Sequence, residues 1–125
     1  MHGLHLTADL HGCRNDTAAM TDTAALRHAC LTAVHGAGLV PVGELFHRFP
    51  APGGVTGVVL LAESHLAVHT WPELGAVTLD VYVCNLGADN SQRAHSLLAA
   101  LQAAFEPALA ERHALQRGGL GGQHP

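Results

Sequence analysis

Strict two-residue alternation sets the first limit on this chain. From position 77, the apolar residues Val77, Leu79, Val81 and Val83 interleave with Thr78, Asp80, Tyr82 and Cys84. A period of two puts all four aliphatic side chains on one face of a strand, and no helix can do that. The start of the chain repeats the pattern, with Leu4, Leu6, Ala8 and Leu10 set against His5, Thr7, Asp9, His11 and Cys13. Further strands are predicted over residues 39–49 and over 64–71, where Leu66 and Val68 oppose His65, His69 and Trp71. The apolar run at 55–62 predicts a central strand covered on both faces, and 110–117 a weak last strand. Two stretches switch to helical spacing. Met20, Ala24, Cys30, Leu31 and Val34 mark residues 17–35, with Asn15 and Asp16 as caps and Gly36 and Gly38 as the stop. Ala94, Leu97, Leu98, Leu101, Ala104 and Phe105 mark a second helix, capped from Asp89, Asn90 and Ser91 and ended by Pro107.

Strands outnumber helices and the connections are short. The expected fold is therefore α/β of the α+β type: a two-layer sandwich with a mainly antiparallel sheet and two helices on one face. At 125 residues, a single domain over 1–125 is expected, with residues 118–125 as a frayed tail. The hydrophobic share of 48% supports a full core, while the charged share of 13% is low enough to suggest that a partner subunit covers some surface. A formal net charge of -4 leaves no basic footprint, so no nucleic-acid partner is expected. No run approaches the ~18 apolar residues of a membrane span, and no signal peptide is expected at the N-terminus. Three cysteines without a CxxC spacing argue against a disulfide framework or zinc knuckle and fit a reducing cytoplasm.

The face opposite the helices carries Asp9, His11, His65, His69, Asp80, Tyr82 and Cys84. An ordinary solvated face would carry more Lys and Glu; this one is rich in groups that titrate or react. It converges on Glu63-Ser64-His65-Leu66-Ala67-Val68-His69-Thr70-Trp71-Pro72-Glu73. Eleven histidines make a His-rich, non-catalytic metal-binding module a rival reading. On a strand, however, His65 and His69 share a face ~13 Å apart, too far for one metal ion, and no Glu follows His65 to make HExxH. A serine hydrolase would need Ser64 on a glycine-flanked elbow, which is absent. A papain-like pair of Cys84 and His69 on neighbouring strands stays open.

The same stretch resembles the processing-site signature of the prokaryotic S-adenosylmethionine decarboxylase proenzymes, E-S-H-x-x-x-H-T-W-P-E. Asp80 and Cys84 match the acidic residue and cysteine that follow it. The segment His5–Cys13 is similar to the family's first strand, Phe46-His47-Arg48-Phe49 to its F-H-R-F, and Val55-Thr56-Gly57-Val58-Val59 to its V-S-G-V-V. The resemblance covers roughly residues 4–117. Thr56 stands where a serine is usual, Asp9 where Glu is common, Leu74 where an aromatic is common and Asn85 where glycine is frequent.

The resemblance implies a self-cleaving pyruvoyl enzyme. The Ser64 hydroxyl attacks the Glu63 carbonyl, and the ester formed is eliminated to leave dehydroalanine. Loss of ammonia then yields a pyruvoyl group at position 64. The products are a beta chain, 1–63, and an alpha chain, 64–125. His69 moves a proton during cleavage, supported by the Thr56 hydroxyl. The pyruvoyl carbonyl forms a Schiff base with the substrate amine, and Cys84 protonates the carbon after CO2 leaves. Phe49 stacks on the adenine and Glu73 binds the ribose hydroxyls. The implied activity is decarboxylation of S-adenosylmethionine for polyamine synthesis, by a homo-oligomer, a dimer of processed protomers. Ornithine or arginine as substrate is the alternative within the family, because the pyruvoyl chemistry would be the same.

Overall fold

The computed structural model describes residues 2–14, 16–85 and 87–119. Six strands and two helices follow one another as β1 (His2–His11), α1 (Thr23–Gly36), β2 (Pro41–Arg48), β3 (Val55–Leu61), β4 (Ser64–Trp71), β5 (Ala76–Cys84), α2 (Ser91–Phe105) and β6 (Leu109–Gly118). Short 3-10 turns precede α1 at Ala18–Met20 and follow β4 at Pro72–Leu74. The strands form one sheet in the order β2-β3-β4-β5-β1-β6, and every neighbouring pair is antiparallel. The expected two-layer α+β sandwich is the one observed.

The alternation explains the layering. Leu4, Leu6, Ala8 and Leu10 of β1 and Val77, Leu79, Val81 and Val83 of β5 are all buried. They meet Leu26, Cys30 and Val34 of α1 and Leu97, Leu98, Leu101 and Phe105 of α2 in one core. Among the described residues, no helix covers the other sheet face. Cross-strand register places His47, Thr56, His69, Thr78, Asp9 and Glu111 in one row across this open face, and Leu60, His65, Tyr82, His5 and Leu115 in another.

Several local expectations need correction. The strand β3 is not covered on both faces: Val55, Val59 and Leu61 are buried, whereas Leu60 is half exposed on the open face. Its apolar run reads as a two-sided core strand because the open face is itself apolar there. The α1 cap is Asp22, whose carboxylate accepts from the Ala24 amide at 2.9 Å, because a 3-10 turn intervenes after Asp16. Asn15, the other expected cap, lies outside the described residues. The last strand is longer than expected, pairing with β1 from Leu109 to Gly118. Ala24 and Ala104 do not reach the core. Of the expected frayed tail, residues 120–125 lie outside the described residues.

Candidate active site

The Glu63–Ser64 bond lies in the tightest turn of the sheet. Leu61 pairs with Ser64, so only Ala62 and Glu63 connect β3 to β4. Glu63 takes a φ of 55°, a left-handed conformation unusual for a residue with a side chain. Ser64 is the first residue of β4, and its hydroxyl accepts a hydrogen bond from the Cys84 amide at 3.3 Å. The fold thus unites residues 20 positions apart, because β4 and β5 pair antiparallel and Ser64 and Cys84 fall at the same end. Of the three cysteines, Cys13 and Cys30 are buried in the core. Burial pushes the Cys30 thiol up to about 12, with Glu44 adding to the effect, and burial also raises Cys13. Cys84 alone among them is partly exposed.

The other half of the signature builds a second cluster at the opposite end of β4. His69 pairs across to Thr56 of β3, and the Thr56 hydroxyl and His69 Nδ1 share a hydrogen bond at 3.0 Å. The His69 ring stacks on Trp71, with centroids 5.7 Å apart. These residues line a cavity of about 280 Å³ together with Phe49, Pro50, Pro52 and Glu73. Phe49 is half exposed there, held edge-on against His47 at 4.7 Å.

The predicted site residues therefore fall into two groups. Glu63, Ser64 and Cys84 meet at one end; Phe49, Thr56, His69 and Glu73 meet at the other. Five residue steps along extended chain take Ser64 to His69, ~16 Å. The papain-like pairing of Cys84 with His69 is ruled out within one chain. His69 faces Thr78, six residues and ~20 Å along β5 from Cys84. Among the described residues, no three His, Cys, Asp or Glu side chains are grouped to hold a metal ion.

Two contributions were missed in the sequence. Thr70 is buried inside the signature. Its hydroxyl donates to the Met20 carbonyl at 2.7 Å and accepts from the Val55 amide at 2.9 Å. That joins β4 to β3 and to the turn before α1, so this motif residue is a structural strut. The signal was its place on the apolar side of the alternation, with Leu66 and Val68. The second is a set of contacts around Tyr82 on the open face, where the alternation placed His5, His65, Asp80 and Tyr82 without showing how they meet. His5 Nε2 lies 3.1 Å from Asp80 Oδ1, and the His65 ring stacks on Tyr82 at 5.7 Å.

A model of the S-adenosylmethionine decarboxylase family matches residues 4–118. An S-adenosylmethionine decarboxylase proenzyme of Prochlorococcus marinus (strain MIT 9313) is 46% identical over 84 residues, which is 67% of this chain and 65% of that protein. One from Archaeoglobus fulgidus is 42% identical over 82 residues, 66% of this chain and 70% of that protein. The matched stretch is thus under two thirds of the length of the Prochlorococcus relative. The crystal structure of the adenosylmethionine decarboxylase from Aquifex aeolicus superposes with a TM-score of 0.86 at 32% identity, over 98% of this chain and 96% of that one. An AdoMetDC monomer from Trypanosoma brucei shares the fold at a TM-score of 0.58 and 16% identity, over 87% of this chain and 44% of that one. With a family match over nearly its whole length, this chain belongs to the S-adenosylmethionine decarboxylase family.

Proposed function

We propose that the chain is a proenzyme that cuts itself between Glu63 and Ser64 and then decarboxylates S-adenosylmethionine. The observation that carries this reading is the junction of Glu63, Ser64 and Cys84. A serine follows directly on a left-handed residue in a two-residue turn, and the residue bearing the partly exposed thiol sits against its hydroxyl. The left-handed turn costs energy that moving the acyl group from nitrogen to the Ser64 oxygen can release. The relatives named as proenzymes support the same reading.

The residues present fit a pyruvoyl group at position 64, since its parent serine lies at the head of β4 beside Cys84. Such a group supplies an electron-accepting carbonyl that holds the substrate amine. Cys84 then delivers a proton from Sγ to the carbon that loses CO2. Phe49 offers an aromatic face to the adenine, and Glu73 offers acceptors to the ribose diol. Their shared cavity, about 280 Å³, has no Lys or Arg in its lining, which suits a sulfonium cation.

The separation of the two groups supports a homodimer. Thr56 and His69 cannot serve the Ser64 of their own chain across ~16 Å. A second copy laid face to face on the open sheet, about a two-fold axis perpendicular to β4, brings the His69 end of one strand over the Ser64 end of the other. Leu45, Leu60, Leu109 and Leu115 lie on that face, each at least half exposed, and would be buried by it. The low share of charged residues agrees.

Intact-mass spectrometry tests the reading. The wild-type chain is expected as two fragments, 1–63 and 64–125, the second blocked by pyruvoyl, while Ser64→Ala remains whole. A wild-type protein that decarboxylates while uncut would overturn it.

A further inference from the structure

Self-cleavage would create a free chain end at the very residue that carries the reactive group. Chain ends fray unless they are tied down. Cleavage through the Ser64 ester removes two of the ties. The Glu63–Ser64 peptide bond is broken, and elimination leaves Oγ on the new Glu63 carboxylate as the Cα proton departs. The Cys84 amide thereby loses its Ser64 acceptor. The first side chain still able to anchor the new terminus is His65.

His65 is held by Tyr82. The two residues face each other across β4 and β5, and their rings stack at 5.7 Å with an interplanar angle of 24°. Tyr82 is fixed in turn from three sides. The His5 and Tyr82 rings meet edge to face, with centroids 6.2 Å apart at 83°. The Arg117 guanidinium lies over the ring, 5.8 Å from its centre. Beneath it is Gly3, the residue opposite Cys84, where a Cβ would stand 2.5 Å from the Tyr82 hydroxyl. Only glycine lets the ring lie down at that point.

The clamp is itself locked by a hydrogen-bonded chain. Arg117 Nη1 donates to His5 Nδ1 at 3.4 Å, so that nitrogen carries no proton, and Nε2–H donates to Asp80 at 3.1 Å. The orientation of the His5 ring is thereby set by charged groups on two neighbouring strands, β5 and β6.

We propose that Tyr82 is a positioning residue: by stacking on His65 it keeps the cut end of the alpha chain in register beside Cys84. The proposal rests on the self-cleavage reading and deepens it. It predicts a division of labour in time. Before cleavage the peptide bond holds Ser64 in place, so the clamp is dispensable for cutting. After cleavage it governs how well the reactive carbonyl is aimed.

The test compares wild type, Tyr82→Leu and Tyr82→Phe by intact mass and by CO2 release from S-adenosylmethionine. All three are expected to cleave. Tyr82→Leu should lose about 10- to 100-fold in kcat, the scale of a ~1 Å misplacement of a reacting group, with KM changed by less than about two-fold. Tyr82→Phe keeps the ring and should recover kcat. Gly3→Ala displaces the same ring from below and should repeat the kcat loss, which keeps the test alive if Tyr82→Leu does not fold. A Tyr82→Leu or Gly3→Ala enzyme with wild-type kcat, a loss confined to KM, or a Tyr82→Phe as impaired as Tyr82→Leu overturns the proposal. A wild-type chain that stays uncut instead overturns the functional reading on which it stands.

Discussion

The amide of Cys84 donates a hydrogen bond to the hydroxyl of Ser64 across the ends of β4 and β5, at 3.3 Å. The backbone makes this bond, so the thiol is not needed for it. Cys84→Ala should therefore still cut at Glu63–Ser64. Its decarboxylation should fall by about 10²–10⁴-fold, the usual contribution of a positioned proton donor. Fragment masses and CO2 release measured on one preparation separate the two steps. Full turnover by Cys84→Ala would remove the thiol from the mechanism.

The layers of the fold were legible because β1 and β5 alternate without a break, and every aliphatic in that alternation is buried. Periodicity misled at β3. Val58 and Leu60 stand on the open face but read as core, because that face is apolar there too. The candidate residues were legible from a rare string of Trp, Pro, two His and Glu. Their division into two groups was not, because sequence order hides how far five extended residues reach. Ser64 and His69 read as neighbours in the motif and stand at opposite ends of a strand. Thr70 lies within the motif and is a strut; the hydrogen bonds that show this come from residues 15 and 50 positions away.

That division gives a test of shared sites. Ser64→Ala lacks the proposed nucleophile, and His69→Ala the proposed proton-transfer group, so neither should cut itself when expressed alone. Under the proposed homodimer, co-expression is expected to give mixed dimers. In these the intact Ser64 of the His69→Ala chain faces the intact His69 of the Ser64→Ala chain. Cleavage of the His69→Ala chain alone is the expected result, read by mass. If the site were complete within one chain, the mixture would stay whole.

Thr70 ties β4 to β3 and to the turn before α1. Thr70→Val keeps the shape of the side chain but strands the Met20 carbonyl and the Val55 amide in the core. Each buried polar group left unpaired costs about 1–3 kcal/mol, so a loss of at least ~2 kcal/mol in unfolding free energy is expected. Thr70→Ser retains the hydroxyl and should lose less. Urea denaturation of the uncut Ser64→Ala background measures this without interference from cleavage. Equal stability of the Val and Thr forms would show that the two bonds contribute nothing net.

The proposed substrate can be tested at the cavity lined by Phe49 and Glu73. A nucleoside sulfonium needs an aromatic surface for its purine and acceptors for its ribose diol, and both are present in one cavity of about 280 Å³. Ornithine and arginine need a carboxylate for the far-end cation. Of the open-face acids Asp80 and Asp9, Asp80 is a poor provider, since its Oδ1 already takes the His5 N–H, and Asp9 does not line the cavity. Glu73 is the acid that lines the cavity, so the same side chain would serve either substrate, and Phe49 is the discriminating group. Base stacking on an aromatic side chain is worth about 1–3 kcal/mol, so Phe49→Ala should raise KM for S-adenosylmethionine roughly 5- to 150-fold. Glu73→Gln keeps one acceptor and should raise it less. If these contacts are equal in the ground and transition states, kcat should hold in both variants. Processed enzyme supplied with each amino acid in turn gives the direct comparison. Faster CO2 release from ornithine or arginine than from S-adenosylmethionine, unaffected by Phe49→Ala, would reassign the substrate and leave the cleavage chemistry intact.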